Sequence, residues 1–361
     1  MKAALFIASA FSIASVSASA AVLNANPTNF ASVFAAARDG DTIKASGTFG
    51  AVSLRNRTFA TGITLDATDA VFTNTMMIQN VTGLKVLRGT YGSRTQAMSS
   101  GRAIIVSTSA NVTLQNNTFI GNGLTPGIGN LANHGVLVQS SNNVKVSAGN
   151  FSNLYTGIGV GSSTNVHLDS SKFTGMTSDG INIADSHFVT AIANTCVGSV
   201  PFFGAHPDCI QLWSLTGRPV QSDITLQGNY AYGDTQGFAS YNPEAGGGLR
   251  ISMIGNIVET TYGEGITCYN CTDSIFRDNL LSTLPGSLYR TIVNISGGGN
   301  NVIANNTIGL KGAPLPLATL AMRTAATAVP EPSEWAMLIV GFGLIGAFKR
   351  RSTVTLHQRA S

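Results

Sequence analysis

Apolar positions in this chain come in short alternating bursts rather than at helical spacing. From about residue 60 to residue 310 one unit recurs: a short apolar strand, a Gly or Asn turn, a second strand, then an Asn followed by an apolar residue. Period-two alternation sends successive side chains to opposite faces and so predicts β-structure. One register aligns Ile104, Val136, Ile158, Ile181, Ile210, Phe238, Ile266 and Ile292, at spacings from 22 residues (Val136 to Ile158) to 32 residues (Ile104 to Val136). A second places Asn117, Asn150, Asn194, Asn229, Asn256, Asn279 and Asn306 at the turn after the second strand, with Thr90 and Lys172 at that place in the two rungs lacking Asn. Such a repeat, with no helical pattern between its strands, predicts an all-β solenoid. Rungs then stack at ~4.8 Å, inward aliphatics make a continuous core, and stacked Asn side chains hydrogen-bond along the axis. Helical spacing occurs in Phe30, Val33, Phe34 and Ala37 within Asn29–Arg38. This is a short capping helix over the open first edge of the sheet, before a strand beginning Thr42-Ile43-Lys44.

Composition narrows the class. Charged residues are 11% and Gly counts 40, unlike a helical bundle, and the aliphatics are spread too evenly for a disordered chain. The net charge of +4 comes from scattered Lys and Arg, so nucleic acid is not an expected partner. Residues 1–20 read as a secretory signal: Lys2, an apolar Ala3–Val16, then the small residues Ala18-Ser19-Ala20. Export permits disulfides. Cys268-x-x-Cys271 fits a local disulfide or a redox pair, while Cys196 and Cys209 are expected to be buried free thiols. The solenoid domain is 21–310, and residues 311–328, which contain no rung, read as a linker.

The C-terminal order is specific. Val329-Pro330-Glu331-Pro332-Ser333-Glu334-Trp335 precedes an apolar run, 336–348, and then Lys349-Arg350-Arg351. The run is shorter than the ~20 residues of a spanning helix. Its terminal Trp and opposite cation cluster suit transient membrane association with the basic end in the cytoplasm. This order resembles the PEP-CTERM sorting signal of Gram-negative bacteria, here over 329–351, with an added tail from Ser352 to Ser361. The resemblance implies export across the inner membrane, processing by exosortase-type sorting machinery at the cell envelope, and a setting of exopolysaccharide production. The strand repeat over residues 40–310 resembles the right-handed parallel β-helix of pectate-lyase-like proteins, including its interior Asn ladder. That fold hosts lyases, hydrolases, epimerases and inert adhesins.

Candidate chemistry gathers at one column. Two residues before the apolar register come Arg102, His134, Thr156, Asp179, Asp208, Gln236, Glu264 and Arg290, polar in every rung. One residue after it come Asn182 and Gln211. Asp179 and Asp208, on neighbouring rungs, are expected ~5 Å apart, close enough to share a proton or to hold Ca²⁺. The equally weighted reading of Glu264-Gly265 is a turn. The loop 198–207 ends at His206-Pro207-Asp208, and a second long loop, 121–133, precedes His134, so loops and column form a groove. Trp213 beside these polar groups suits stacking on a sugar ring, or a partly buried loop position. His167 and His187 read as surface residues.

The stretch His206-Pro207-Asp208-x-Ile210-Gln211 resembles a motif of β-helix proteins grouped with polysaccharide lyases and uronan epimerases. Alginate epimerases use Asp-Pro-His-Asp; here only the order His-Pro-Asp is present, so their roles do not transfer. The paired Asp-Asp and Gly-His-Gly motifs of polygalacturonase-like hydrolases are missing from the sequence. The expected catalytic set is His206 as base or acid, Asp179 with Asp208 as an acid pair or calcium site, and Arg290 as a carboxylate clamp. Gln211, Trp213, Asn182, Glu264 and His134 would bind substrate. The leading expectation is a monomeric lyase-type eliminase acting on an acidic polysaccharide. The alternatives are a hydrolase or epimerase on the same fold, and a glycan-binding matrix protein without turnover.

Overall fold

The computed structural model describes residues 19–309 except 96–97, 99–100, 124–132, 202–204, 215–216 and 242–246. The core of the signal peptide, most of loop 121–133, the linker, the sorting signal with its apolar 336–348 and the tail lie outside the described residues. No described helix is long and apolar enough to cross a membrane.

The described chain is a right-handed parallel β-helix, with every strand pairing in parallel within one sheet of 29 strands. Each rung from Arg102 onward gives three strands, and equivalent strands of successive rungs pair into three faces. In the rung that begins at Asp208 these are Asp208–Trp213 on the first face, Ser222–Gln227 on the second and Tyr230–Gly233 on the third. The sequence predicts two strands per rung. The third is mostly three or four residues long, as in Thr118–Ile120, too short to show an alternation. Corners are turned by single residues in the left-handed region. At the start of the second-face strands these include Asn111, Asn143 and Asn165, with φ of 54°, 51° and 53°. Short polar side chains tolerate that conformation best.

The apolar register holds from Ile104 through Val136, Ile158, Ile181, Ile210 and Phe238 to Ile266, each paired with the next. It slips at the last rung. A bulge between Glu264 and Ile266 pairs Ile266 with Val293, so Ile292 turns outward and is 40% exposed. Inside the third face, Phe49, Phe72, Tyr91, Phe119, Phe151 and Phe173 stack with ring centroids 4.5–5.2 Å apart. The rings require small neighbours: a Cβ on Gly135 would come 2.8 Å from Phe151 Cδ1. One rung beyond Phe173 the ring is replaced by Cys196, which is disulfide-bonded to Cys209. Both were expected to be free thiols. The winding of the rod brings their Cα atoms to 5.5 Å, a separation that a disulfide spans. Cys268 and Cys271 form the local disulfide.

A buried Asn ladder closes the turn before the third face. The backbone N–H of Asn194 donates to Asn229 Oδ1, that of Asn229 to Asn256 Oδ1 and that of Asn256 to Asn279 Oδ1, each 2.9 Å. Asn150, Thr90 and Lys172 are one residue late for it. They sit in third-face strands level with Thr118, and the ladder position there is Gly89, Gly149 or Ser171. A second ladder, absent from the sequence reading, joins Ser109, Ser141, Ser163 and Ser186 through Oγ acceptors at 3.1 Å. At the N-terminal end the short helix α1 (Phe30–Ala36) packs Phe30 on Phe49 and Phe34 on Phe59, as the capping role requires.

Candidate functional site

Three concavities follow one another along the first face, which the rung register makes continuous. The middle one, about 360 Å³, is lined by His206, Asp208, Gln211, Trp213, Gln236, Tyr241, Glu264 and Tyr269, among others. His206 arrives from the loop side and is exposed. Asp208 opens its strand, paired with Gln236 on the next rung, and its side chain is only 1% exposed. Backbone hydrogen bonds from Gly157 to Asp179 and from Gly180 to Asp208 put the two Asp residues in adjacent rungs at one register.

The two carboxylates are tied together through amides. Asp179 Oδ1 accepts from the Asp208 N–H at 3.1 Å, and Asp179 Oδ2 from Asn182 Nδ2 at 3.1 Å. Asn182 also donates to Gln211 Oε1 at 2.7 Å, and Gln211 Nε2 donates to Asp208 Oδ2 at 3.0 Å. Asp208 Oδ1 has no hydrogen-bond partner among the described residues. His206 Nδ1 stands 3.8 Å from Asp208 Oδ2, an ion-pair contact rather than a hydrogen bond, with the imidazole 67% exposed.

Burial disfavours the charged form of a carboxylate. It pushes Asp208 up to about 7, with Asp179 and Glu264 adding to the rise and His206 opposing it. Burial also raises Asp179. The neighbouring Asp208 carboxylate raises His206 to about 9 against the cost of its partial burial. At neutral pH the imidazole is therefore cationic and stands over a carboxyl whose ionisation burial opposes.

The oxygens of the expected calcium pair are largely engaged by protein donors. Both oxygens of Asp179 and one of Asp208 already accept N–H groups, and no cluster of three or more acidic, His or Cys side chains suited to a metal occurs among the described residues. Calcium takes six to eight oxygen ligands. As they stand, the residues do not fit it.

Of the expected site residues, His206, Asp208, Gln211, Trp213 and Glu264 share the middle concavity, and Asp179 with Asn182 joins it by hydrogen bonds. His134 lines the concavity on one side, with Arg102 and Asn182, and packs edge-on against Tyr155 at 5.2 Å. Arg290 lies in the concavity on the other side, beyond Glu264 and beside Tyr262 and Tyr289. The register slip removes it from the column, where Ile292 pairs with Glu264.

The sequence reading missed the continuation of Trp213. Tyr241 pairs with Trp213, and Tyr269 follows one rung on, its ring 5.4 Å from that of Tyr241. Trp213 and Tyr241 are 41% and 52% exposed. The three form an aromatic rail parallel to the rod axis. It was legible three residues after Ile210, Phe238 and Ile266, had that column been read.

No family model matches the sequence, and no curated protein is similar to it in sequence. Solved structures are similar in fold. The surface adhesin PfbA of Streptococcus pneumoniae aligns with a TM-score of 0.52 at 12% identity, over 75% of this chain and 79% of that one. A pectate lyase aligns at 0.47 and 11% identity, over 88% of each chain. An alginate lyase from Paenibacillus aligns at 0.47 and 16% identity, over 80% of this chain and 99% of that one. At such identities the likeness is one of fold alone.

Proposed function

We propose that the first-face groove binds an acidic polysaccharide along the rod axis and cleaves it by elimination, with His206 meeting the sugar carboxylate. The observation that carries this reading is an exposed imidazole standing on a buried carboxyl. Asp208 favours the imidazolium, and no Lys or Arg is among the described residues lining the middle concavity, so His206 is the cation there that can neutralise a uronate. Neutralisation eases removal of the proton on the neighbouring carbon. Glu264, in the same concavity, is the carboxylate that takes it. The freed electron pair forms a carbon–carbon double bond, the glycosidic C–O bond breaks, and the departing oxygen takes a proton from solvent. Asp208 acts through His206 as a positioning residue. Trp213, Tyr241 and Tyr269 offer ring faces for stacking. The export and sorting sequences at the chain ends support a polymer outside the inner membrane as substrate.

A second reading, hydrolysis, is favoured by one observation: Asp208, raised to about 7, shares its concavity with Glu264. A proton-bearing carboxyl and a second carboxylate two rungs away, ~10 Å along the axis, resemble an acid–base pair of an inverting enzyme. Incubation of the purified protein with a panel of uronic-acid polymers separates the readings. Elimination predicts ultraviolet absorbance from unsaturated ends, lost in His206→Ala. New reducing ends without absorbance would support hydrolysis. Binding without product would leave a glycan-binding protein, and neither binding nor product would end the proposal.

A further inference from the structure

The groove does not end with the middle concavity. Beyond Glu264, which lines both, lies a concavity of about 480 Å³ bounded by Tyr262, Tyr289, Arg290, Ile292 and Asn294. Arg88, Arg250 and Arg277 each hold a carboxylate at 2.6–2.8 Å, whereas no described carboxylate stands within ion-pair distance of Arg290. Glu264 shares the concavity, but its Oε1 accepts from Tyr269 Oη at 3.5 Å. Of its five N–H groups, the exposed Arg290 guanidinium donates one to a described residue, from Nη2 to Ile308 O at 3.4 Å. The segment that carries it is fixed at both ends. Ser287 is buried, and its Oγ accepts the Tyr289 N–H at 3.2 Å and donates to Tyr289 O at 2.6 Å. Thr291 is fully buried, its N–H donating to Thr283 Oγ1 and its Oγ1 to Tyr262 O, each at 2.8 Å. Between these anchors Tyr289 is 69% exposed and rests on Gly263, where a Cβ would come 3.2 Å from Tyr289 Cβ. Buried ties thus hold an exposed ring and an exposed cation in place, which lowers the entropic cost of binding there.

We propose that this concavity is a second anionic-sugar subsite, in which Arg290 grips a carboxylate in bidentate fashion and Tyr289 offers a ring face to the sugar that bears it. The inference rests on the reading of the groove as a uronate site and narrows its substrate class. Asp208 pairs with Gln236, Phe238 with Ile266 in the same register, and Glu264 with Ile292, so the Arg290 rung lies three steps beyond the Asp208 rung. Three steps of ~4.8 Å place Arg290 about 14 Å from His206 along the axis. A pyranose residue advances a chain by about one such step, so the second carboxylate sits about three sugars from the first. The aromatic rail runs between the two cations, and Asn294 Nδ2 donates to Tyr269 Oη at 3.3 Å, joining its last ring to the new subsite. A run of consecutive acidic residues satisfies both cations at once, whereas an isolated acidic sugar in a neutral chain satisfies one. The substrate class is therefore a polymer with contiguous blocks of uronate.

The test uses the full chain and its Arg290→Gln variant, with dimers and hexamers of galacturonate and of mannuronate as probes. Trp213 fluorescence, which reports the middle concavity, is the readout. A dimer is too short to meet both cations. The subsite predicts that Arg290→Gln lowers the ratio of hexamer to dimer affinity about tenfold or more, and that Arg290→Lys, which keeps the charge but not the planar fork, lowers it less. With hexamers whose carboxyls have been reduced to alcohols, Arg290→Gln should have no further effect. An unchanged ratio, or an equal loss with the reduced hexamers, would overturn the subsite. The reading of the groove survives that result if the dimer binds and His206→Ala weakens it. Failure of both hexamers to bind the wild-type chain would overturn subsite and reading together.

Discussion

Asp208→Asn tests the electrostatics of the site without reference to any substrate. In the unfolded chain Asp208 titrates near the ordinary ~3.9, and in the fold burial lifts it to about 7. Its folded pKa is raised, so its contribution is fully present below pH ~4 and is lost as pH climbs through about 7. A rise from ~3.9 to about 7 corresponds to about 4 kcal/mol, an upper figure because burial and the His206 contact oppose one another. Asp179 is shifted the same way, whereas Asp41, Asp66 and Asp223 are lowered and lose stability as pH falls. Total stability therefore mixes signs, and the informative quantity is the difference between wild type and variant. An Asn at 208 keeps an oxygen for Gln211 Nε2 and cannot ionise. Relative to wild type, it should gain up to about 4 kcal/mol between pH 4 and pH 8. Stacked rungs can open separately, so exchange of the Ile210 and Gln211 amides is the suitable probe. In the same variant the His206 ring, followed by NMR, should titrate near the ordinary ~6.5 rather than near 9. A His206 titration unmoved by the substitution, or parallel pH profiles for the two proteins, would refute the coupling.

Other consequences follow from the same architecture. Asn229 is fully buried, donates to Ala191 O and accepts from the Asn194 N–H, so Asn229→Ala should destabilise by about 3 kcal/mol, read as a lower denaturation midpoint. Phe188 is 56% exposed and held at φ 53°, so Phe188→Asn should stabilise by about 1 kcal/mol; a lower melting temperature would contradict this. Replacing Cys196 and Cys209 by Ala opens a 13-residue loop that contains His206. It should cost about 3 kcal/mol and draw the His206 titration back toward its ordinary value.

Much of the fold was legible because inward positions are read off directly. A period-two burst with an aliphatic at a fixed place identifies a rung, and seven rungs aligned without error from Ile104 to Ile266. Errors arose where local chemistry interrupts the period. The ladder position before Asn150 is Gly149, so the Asn in that rung stands one residue past the ladder. A bulge after Glu264 adds a residue that no residue type announces, and it carried Arg290 out of the site. The Cys196–Cys209 bridge depends on how a loop folds back between rungs, which periodicity does not contain. The His206–Asp208 pair was found by residue type, but its division of labour was not: burial of one member and exposure of the other set which group faces a ligand. Tyr241 and Tyr269 were in the same register as Trp213 and needed only the column three residues past the core position.

The proposed glycan groove is elongated, with a stacking rail that begins at Trp213. The direct measurement is Trp213 fluorescence during titration with uronic-acid oligosaccharides of increasing length, using Trp213→Phe to subtract Trp335. An elongated groove gives a Trp213-dependent change whose affinity rises with chain length and weakens when Tyr241 or Tyr269 is replaced by Ala. A signal absent with every acidic oligosaccharide, or an affinity equal for a single sugar and a long chain, would contradict it.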